Sequence, residues 1–214
     1  RGLRHWFTPP GAALAFSLIL RPKVPDQDGH ITRIAGLGAL GVSKALRTCY
    51  HLPAEIKWPN DVIIHGRKVC GILAEAAWLG DQLSAVILGI GINVDNSAVP
   101  SDDWPGHHER PFPAGSIEGA LGSPLERTPL LHRVLLEMLE LLPRLEEPDF
   151  IQSWREKLAF LGDWVEVTTS GTETHQGQVA GLSEDGSLRL RLRSGEQITL
   201  QVGEIHLRPV DSPI

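Results

Sequence analysis

Apolar positions in the first half of the chain change between strand-like and helix-like spacing. Residues 12–20 form the longest apolar run, and residues 69–77 and 84–94 are two further apolar segments with β-branched residues, joined by a Gly-Asp turn. These patterns predict one buried strand and an antiparallel hairpin. Residues 31–50 instead combine apolar side chains at helical spacing with small residues, which predicts a helix packed closely on a sheet.

The second half of the chain predicts two helices followed by short strands. Residues 128–142 carry an apolar stripe at helical spacing, and a shorter helix is predicted for residues 148–159. Five short strands are predicted beyond them, at residues 164–167, 176–182, 187–192, 197–202 and 205–207. Five strands in about fifty residues are typical of a small SH3-like barrel, so we expect a domain boundary near residue 161. Residues 95–127 show little periodicity and predict a loop.

Composition favours a globular protein of a reducing compartment. The chain has 214 residues, of which 42% are hydrophobic, and no apolar run approaches the roughly 18 residues of a membrane span. Cys49 and Cys70 have no metal-ligand spacing and are too few for a disulfide framework, which favours the cytoplasm. The formal net charge of −6 argues against nucleic-acid binding by this part of the chain. We therefore expect neither a membrane nor a nucleic acid as a partner.

A polar corner interrupts the strand predicted for residues 55–64. It reads K-W-P-N-D, from Lys57 to Asp61. A lysine at the end of a rigid strand can neutralise a developing oxyanion or bridge a carboxylate and a phosphate. The corner that the proline enforces would project Asn60 and Asp61 as polar or metal-facing groups. An ordinary exposed lysine followed by a turn would explain the same residues. The residue types alone favour neither this interpretation nor a functional site.

Glycines alternate with β-branched residues in the last predicted strand of the first half. Gly89 and Gly91 remove side chains from one face of residues 88–94, as a flat ligand lying against the strand requires. Close packing of a helix on the strand is the alternative explanation. The pattern does not match the G-x-G-x-x-G dinucleotide fingerprint, because neither a third glycine nor a helix follows.

The chain begins with two arginines around a glycine. Arg1 and Arg4 precede Trp6, so that guanidinium groups suited to phosphate oxygens stand beside a ring on which a base can stack. On composition alone, the more common explanation is a solvated basic terminus.

Taken in order, these motifs resemble those of the biotin protein ligases. That family carries a Gly/Arg-rich loop ending in G-R-x-W, a K-W-P-N-D corner, a G-I-L-x-E strand, a G-x-G-I-N strand and a G-E-I/V-x-x-R ending. The corresponding segments here are residues 1–6, 57–61, 71–75, 89–93 and 203–208. The resemblance implies an α+β fold with a mixed, largely antiparallel central sheet and helices, like that of class II aminoacyl-tRNA synthetases and biotin synthetases. This catalytic domain would span residues 1–161, and an SH3-like β-barrel residues 162–214.

The resemblance also implies an activity, that of a biotin–acetyl-CoA-carboxylase ligase. Biotin would be activated by ATP as biotinyl-5′-AMP and transferred to a lysine of a biotin carboxyl carrier protein domain, in the cytoplasm. Mg²⁺ would be held mainly by the phosphates, and no metal ligands of the chain are identified. The alternatives are a lipoate-protein ligase and a non-catalytic, biotin-responsive regulatory module. The K-W-P-N-D corner and the alternating glycines favour biotin over lipoate.

Individual residues take roles from the resemblance. The expected catalytic residues are Lys57, which would contact both the biotin carboxylate and the α-phosphate, and the loop arginines Arg1 and Arg4. The expected biotin-binding residues are Lys57, Gly71, Ile72, Leu73, Gly89, Gly91 and Arg1. The expected nucleotide-binding residues are Arg4, Trp6, Asn60, Asn93, Glu204 and Arg208.

The sequence departs from the family pattern at its beginning. Leu3 occupies the place of the last glycine of the loop, and the first three residues of the loop do not appear. The family's upstream strands, whose Ser/Thr-rich segment and Gln bind the ureido ring of biotin, are also missing, and the chain does not open on Met. We therefore expect an N-terminally truncated catalytic domain with weakened biotin binding. If the chain forms a homodimer, we expect the edge strand of the central sheet to make the contact.

Overall fold

The first half of the protein contains a five-stranded antiparallel sheet. The computed structural model describes residues 8–21, 30–100, 112–169, 173–201 and 206–210. The strands of the first sheet are β1 (Ala13–Leu20), β2 (Glu55–Lys57), β3 (Asp61–Ile64), β4 (Arg67–Leu79) and β5 (Gln82–Asn93). Their order is β1-β5-β4-β3-β2, and all neighbouring strands are antiparallel. The predicted first strand and the predicted hairpin, formed by β4 and β5, are confirmed.

One helix covers one face of this sheet. The helix α1 (His30–Tyr50) coincides with the predicted one, and its small residues allow close approach: a Cβ at Gly38 would lie 3.2 Å from the side chain of Ile72. Alternate residues of β4 and β5 are buried on this side, as the two-residue period of a strand requires. The opposite face, which carries Ser17, Leu73 and Gly89, is here called the open face. Its Leu73 side chain is exposed.

Three further helices follow α1 along the chain. They are α2 (Ile117–Leu121), α3 (Arg127–Leu141) and α4 (Pro148–Arg155), with short 3₁₀ segments at Asn96–Ala98 and Leu142–Arg144. Helices α3 and α4 contact α1, whereas α2 contacts the 3₁₀ segment at Asn96–Ala98. Helix α4 ends earlier than predicted because Ile56 of β2 exchanges main-chain hydrogen bonds with Lys157 and Ala159. Segment 95–127, predicted as a loop, contains α2, whose five residues are too few to show a helical repeat. Among the described residues, no helix combines the length and apolarity needed to cross a membrane.

A second antiparallel sheet follows α4. Its strands are β6 (Trp164–Thr168), β7 (Thr174–Leu182), β8 (Leu188–Leu192), β9 (Gln197–Leu200) and β10 (His206–Pro209), in the order β10-β6-β7-β8-β9. The five predicted strands are thus confirmed. Apolar residues of both sheets belong to one hydrophobic cluster, and the boundary near residue 161 stays a prediction.

Trp154 of α4 lies where α1 meets the second sheet. Its side chain is fully buried and meets the ring of Phe150 edge-on, at a centroid distance of 6.3 Å. A Cβ at Gly36 of α1 would lie 2.4 Å from the Trp154 ring, and one at Gly186, between β7 and β8, would lie 2.9 Å from it. Both positions therefore require glycine to admit the indole.

Candidate functional site

Register partners form a row across the open face of the first sheet. Lys57 opposes Asp61, Asp61 opposes Gly71, Gly71 opposes Gly91, and Gly91 opposes Ala15. Directly opposed residues of an antiparallel sheet lie on the same face. The row therefore has an ion pair at one end and a floor of small residues at the other.

A single carboxylate lies between two lysines at the charged end of this row. Asp61 Oδ2 is 3.5 Å from Lys57 Nζ, and Asp61 Oδ1 is 2.5 Å from Lys68 Nζ. The Lys57 ammonium also lies 5.3 Å from the ring centroid of Phe112, and the residue is only 5% exposed. This burial lowers the pKa of Lys57, although the neighbouring carboxylate acts in the opposite direction. Two ammonium groups and one carboxylate leave a positive charge that attracts anions.

Long-range hydrogen bonds hold the corner that carries Lys57. The Trp58 indole donates a buried hydrogen bond of 2.9 Å to the carbonyl of Gly186, in the turn between β7 and β8. Asn60 Nδ2 donates to the carbonyl of Ile72 at 2.5 Å, and the Asn60 carbonyl accepts from the Ile72 amide at 2.9 Å. The peptide bond between Trp58 and Pro59 is cis. The Lys57 side chain thus projects from a main chain that both sheets fix.

The glycine at position 89 is not required by the packing of the described residues. A Cβ at Gly89 would make ordinary contacts, the nearest with the Leu73 carbonyl oxygen at 3.7 Å. Gly36 differs, because a Cβ there would collide with Trp154. Helix α1 lies on the other side of the sheet, so close helix packing does not account for Gly89. The strand thus lacks a side chain at this position of the open face, next to the exposed Leu73.

The predicted residues of β4 lie on opposite faces of the sheet. Leu73 is on the open face, opposite Gly89, and Gly71 is in the row described above. The Ile72 side chain is buried on the packed face against α1, so that only its main chain borders the site. Only the main-chain atoms of Ile72 can therefore take part in the predicted binding of biotin.

The predicted nucleotide-binding residues are dispersed. Asn93 Nδ2 donates to the carbonyl of Gly115 at 2.9 Å, which ties the end of β5 to the segment before α2. Arg208 pairs with Glu166 on the second sheet, where Arg208 Nε donates to Glu166 Oε1 at 2.8 Å. Four predicted site residues lie outside the described residues, and their roles stay predictions: Arg1, Arg4, Trp6 and Glu204.

The sequence pattern did not indicate Lys68 or Phe112 as residues of the site. In a regular strand, Lys68 would point away from the face that carries Gly71, since the two are three residues apart. A register shift pairs Val62 with Cys70 but Ile63 with Lys68, and this irregularity turns Lys68 to the open face. Phe112 belongs to a segment without periodicity, and no local signal places it against Lys57.

A metal ion has no evident cluster of protein ligands here. Within the described ranges, no group of three or more His, Cys, Asp or Glu side chains is arranged to hold one. Asp61, the polar group of the corner considered for a metal, is engaged by two lysines. The described residues therefore do not fit a metal held by the protein alone.

The two cysteines differ in accessibility, which leads to a labelling prediction. Cys49 is exposed, whereas Cys70 is buried on the packed face of β4, where burial raises the pKa of its thiol. We expect iodoacetamide at mildly alkaline pH to modify Cys49 in the folded protein and Cys70 only after denaturation, as measured by peptide mass spectrometry. Rapid modification of Cys70 under native conditions would contradict its position in the core.

Family models match both parts of the chain. The model described as the Biotin/lipoate A/B protein ligase family matches residues 1–93, and the model described as the Biotin protein ligase C terminal domain matches residues 160–208. The first range contains the row across the open face, and the second contains the second sheet except Pro209, the last residue of β10.

Relatives and solved structures resemble the chain over different lengths. The bifunctional ligase/repressor BirA of Bacillus subtilis is 35% identical over 62% of this chain, and the match spans only 39% of that protein. The biotin–acetyl-CoA-carboxylase ligase of Paracoccus denitrificans is 30% identical over 91% of this chain and 80% of its own length. The biotin protein ligase of Aquifex aeolicus in complex with biotin and ATP superposes with a TM-score of 0.77 and 28% identity, over 93% of this chain and 79% of that one.

Proposed function

We propose that this chain, which belongs to the biotin protein ligase family, activates biotin with ATP and attaches it to a lysine of another protein. The observation that best supports this function is the row across the open face. There the buried ammonium of Lys57 stands at the end of a floor of small residues. The protein substrate we propose is a biotin carboxyl carrier protein domain, as for a biotin–acetyl-CoA-carboxylase ligase.

In the first step, a carboxylate oxygen of biotin attacks the α-phosphorus of ATP. The bond to the bridging oxygen breaks, pyrophosphate leaves, and biotinyl-5′-AMP is formed. Two anions must approach each other, so a cation between them lowers the barrier. Lys57 can supply that cation, and its burial makes the ammonium interact more strongly than it would in water. Mg²⁺ enters as part of the substrate Mg·ATP, where it would neutralise phosphate charge.

In the second step, the ε-amine of the carrier lysine attacks the acyl carbon of biotinyl-5′-AMP. The bond between acyl carbon and phosphate oxygen breaks, AMP leaves, and the amine loses a proton as the amide forms. The charge of the departing phosphate would again face Lys57. Arg1 and Arg4, in the loop that we predict to close over the adenylate, would exclude water from the mixed anhydride.

Pyrophosphate release tests this function. Full-length protein incubated with Mg·ATP and biotin should release pyrophosphate and form biotinyl-5′-AMP, and an added carrier domain should gain the mass of one biotinyl group. Lipoate in place of biotin is the control. Biotin is favoured because the family model that matches residues 160–208 is the one described for biotin protein ligases.

Each alternative predicts a different result in the same assay. Turnover with lipoate and none with biotin would identify a lipoate-protein ligase. Tight binding of biotin without release of pyrophosphate would identify a regulatory module. Either result would overturn the proposed reaction.

A further inference from the structure

Lys68 carries the more accessible of the two ammonium groups beside Asp61. Its side chain is 42% exposed, against 6% for Lys57. A Cβ at Gly71 would lie 3.3 Å from both Cε and Nζ of Lys68, so the lysine extends along the row on the open face. A ligand lying on this floor would meet the Lys68 ammonium.

The main chain of Lys68 is held in place from two sides. The Lys68 amide donates to the carbonyl of Pro113 at 2.9 Å, and its carbonyl accepts from the Gly115 amide at 2.8 Å. The strand irregularity opposite Ile63 sets the face on which the side chain emerges. The main chain of Lys68 is therefore fixed by its pairing with β3 on one side and by residues 113–115 on the other.

The charges of the cluster do not balance without a further anion. Asp61 can neutralise only one of the two lysines. A counter-charge matters more to Lys57, because the Lys57 ammonium is removed from water. Asp61 lies closer to Lys68 than to Lys57, with contacts of 2.5 Å and 3.5 Å, but of the two lysines only Lys68 has a side chain exposed enough to meet a further anion. A phosphate chain could replace the carboxylate as the partner of Lys68 and leave Asp61 to Lys57 alone.

We propose that Lys68 is a second anion-binding residue of the site, which holds phosphate oxygens of the nucleoside triphosphate while Lys57 serves the reacting carboxylate and α-phosphate. This inference rests on the proposed ATP-dependent function and assigns the phosphate subsite within it. Lys68 contacts the substrate but takes part in no bond that forms or breaks.

The test compares Lys68→Ala and Lys68→Arg with the full-length wild-type protein. In the alanine variant, we expect the KM for ATP and the Kd of Mg·ATP, measured by calorimetry without biotin, to rise about ten- to a hundredfold, as for the loss of one charge-assisted hydrogen bond. The KM for biotin should stay within about twofold, because a role confined to phosphate oxygens adds no contact to biotin. Lys68→Arg retains the charge and should restore most of the affinity for ATP.

Lys44→Ala is a matched control. Lys44 Nζ pairs with Glu137 Oε2 at 3.1 Å between α1 and α3, so this variant also removes a lysine from a carboxylate, but away from the open face. We expect it to leave the KM for ATP unchanged. Thermal unfolding of every variant verifies the fold, and Lys68→Met, which removes the charge but keeps the length of the side chain, takes the place of the alanine variant if that variant does not fold.

Unchanged ATP affinity in Lys68→Ala would overturn the assignment, as would an equal loss of affinity for ATP and biotin, which indicates a structural role. Inorganic tripolyphosphate separates this proposal from the proposed function. If the wild-type protein releases no pyrophosphate with any acid, the ligase function fails. Tripolyphosphate binding that is weakened in Lys68→Ala would still establish the phosphate subsite, and no binding by the wild-type protein would refute it.

Discussion

Lys57→Ala is expected to reduce the rate of biotinyl-5′-AMP formation by about a hundred- to a thousandfold, the effect typical of removing a preorganised electrostatic group. No other described ammonium is buried in the row across the open face, and the exposed Lys68 is placed to contact the outer phosphates. The fold should persist, because Asp61 keeps Lys68 as its partner and is not left as an isolated buried charge. Pyrophosphate release under single-turnover conditions measures the rate, and circular dichroism verifies the fold.

The pH dependence distinguishes loss of the cation from a general disturbance of the site. Lys57 must be protonated to act, and burial lowers its pKa from the ordinary lysine value. The wild-type rate should therefore fall as the pH rises through this lowered pKa, since the ammonium loses its proton there. Lys57→Ala should lack this alkaline decline. Near-normal activity in the variant would show that another group supplies the cation.

Local sequence patterns predict the elements around the site but not their long-range contacts. The spacing of apolar residues was sufficient for α1 and for the β4–β5 hairpin, because each of these elements is long enough to repeat its pattern. The K-W-P-N-D corner and Gly89 can also be recognised from the residues around them. The hydrogen-bond partner of Trp58 cannot, because Gly186 lies 128 residues away and is brought to the corner only by the packing of the second sheet.

The irregularity in β4 shows a second limit of such predictions. Period-two reasoning assigns Lys68 to the face opposite Gly71, and only the observed register places the two together. Strand irregularities arise from pairing with a particular neighbour, and that neighbour is not specified by the strand's own sequence. For the same reason, the sequence does not predict that two lysines share Asp61.

Trp154→Ala should lower the free energy of unfolding by about 3–5 kcal/mol, the range for removing a buried aromatic side chain. The ring is fully buried, and Gly36 and Gly186, which border it, have no side chains that could fill the space it leaves. Denaturant unfolding measures the loss. Trp78→Ala is the matched control, because Trp78 is half exposed and its loss should cost no more than about 0.5 kcal/mol. Equal effects of the two variants would contradict the placement of Trp154.

The contact between Trp154 and Gly36 allows a stricter test by a double variant. Gly36→Leu should destabilise the wild-type protein, because the Cβ alone would lie 2.4 Å from the indole. In the Trp154→Ala background, the same leucine points into the space that the ring has vacated and should restore part of the lost stability. The two free-energy changes should therefore be non-additive by at least about 1 kcal/mol. Because Gly186 borders the same indole and accepts the hydrogen bond from Trp58, the restored variant should also recover adenylate formation relative to Trp154→Ala. Strict additivity would show that the two residues do not share this space.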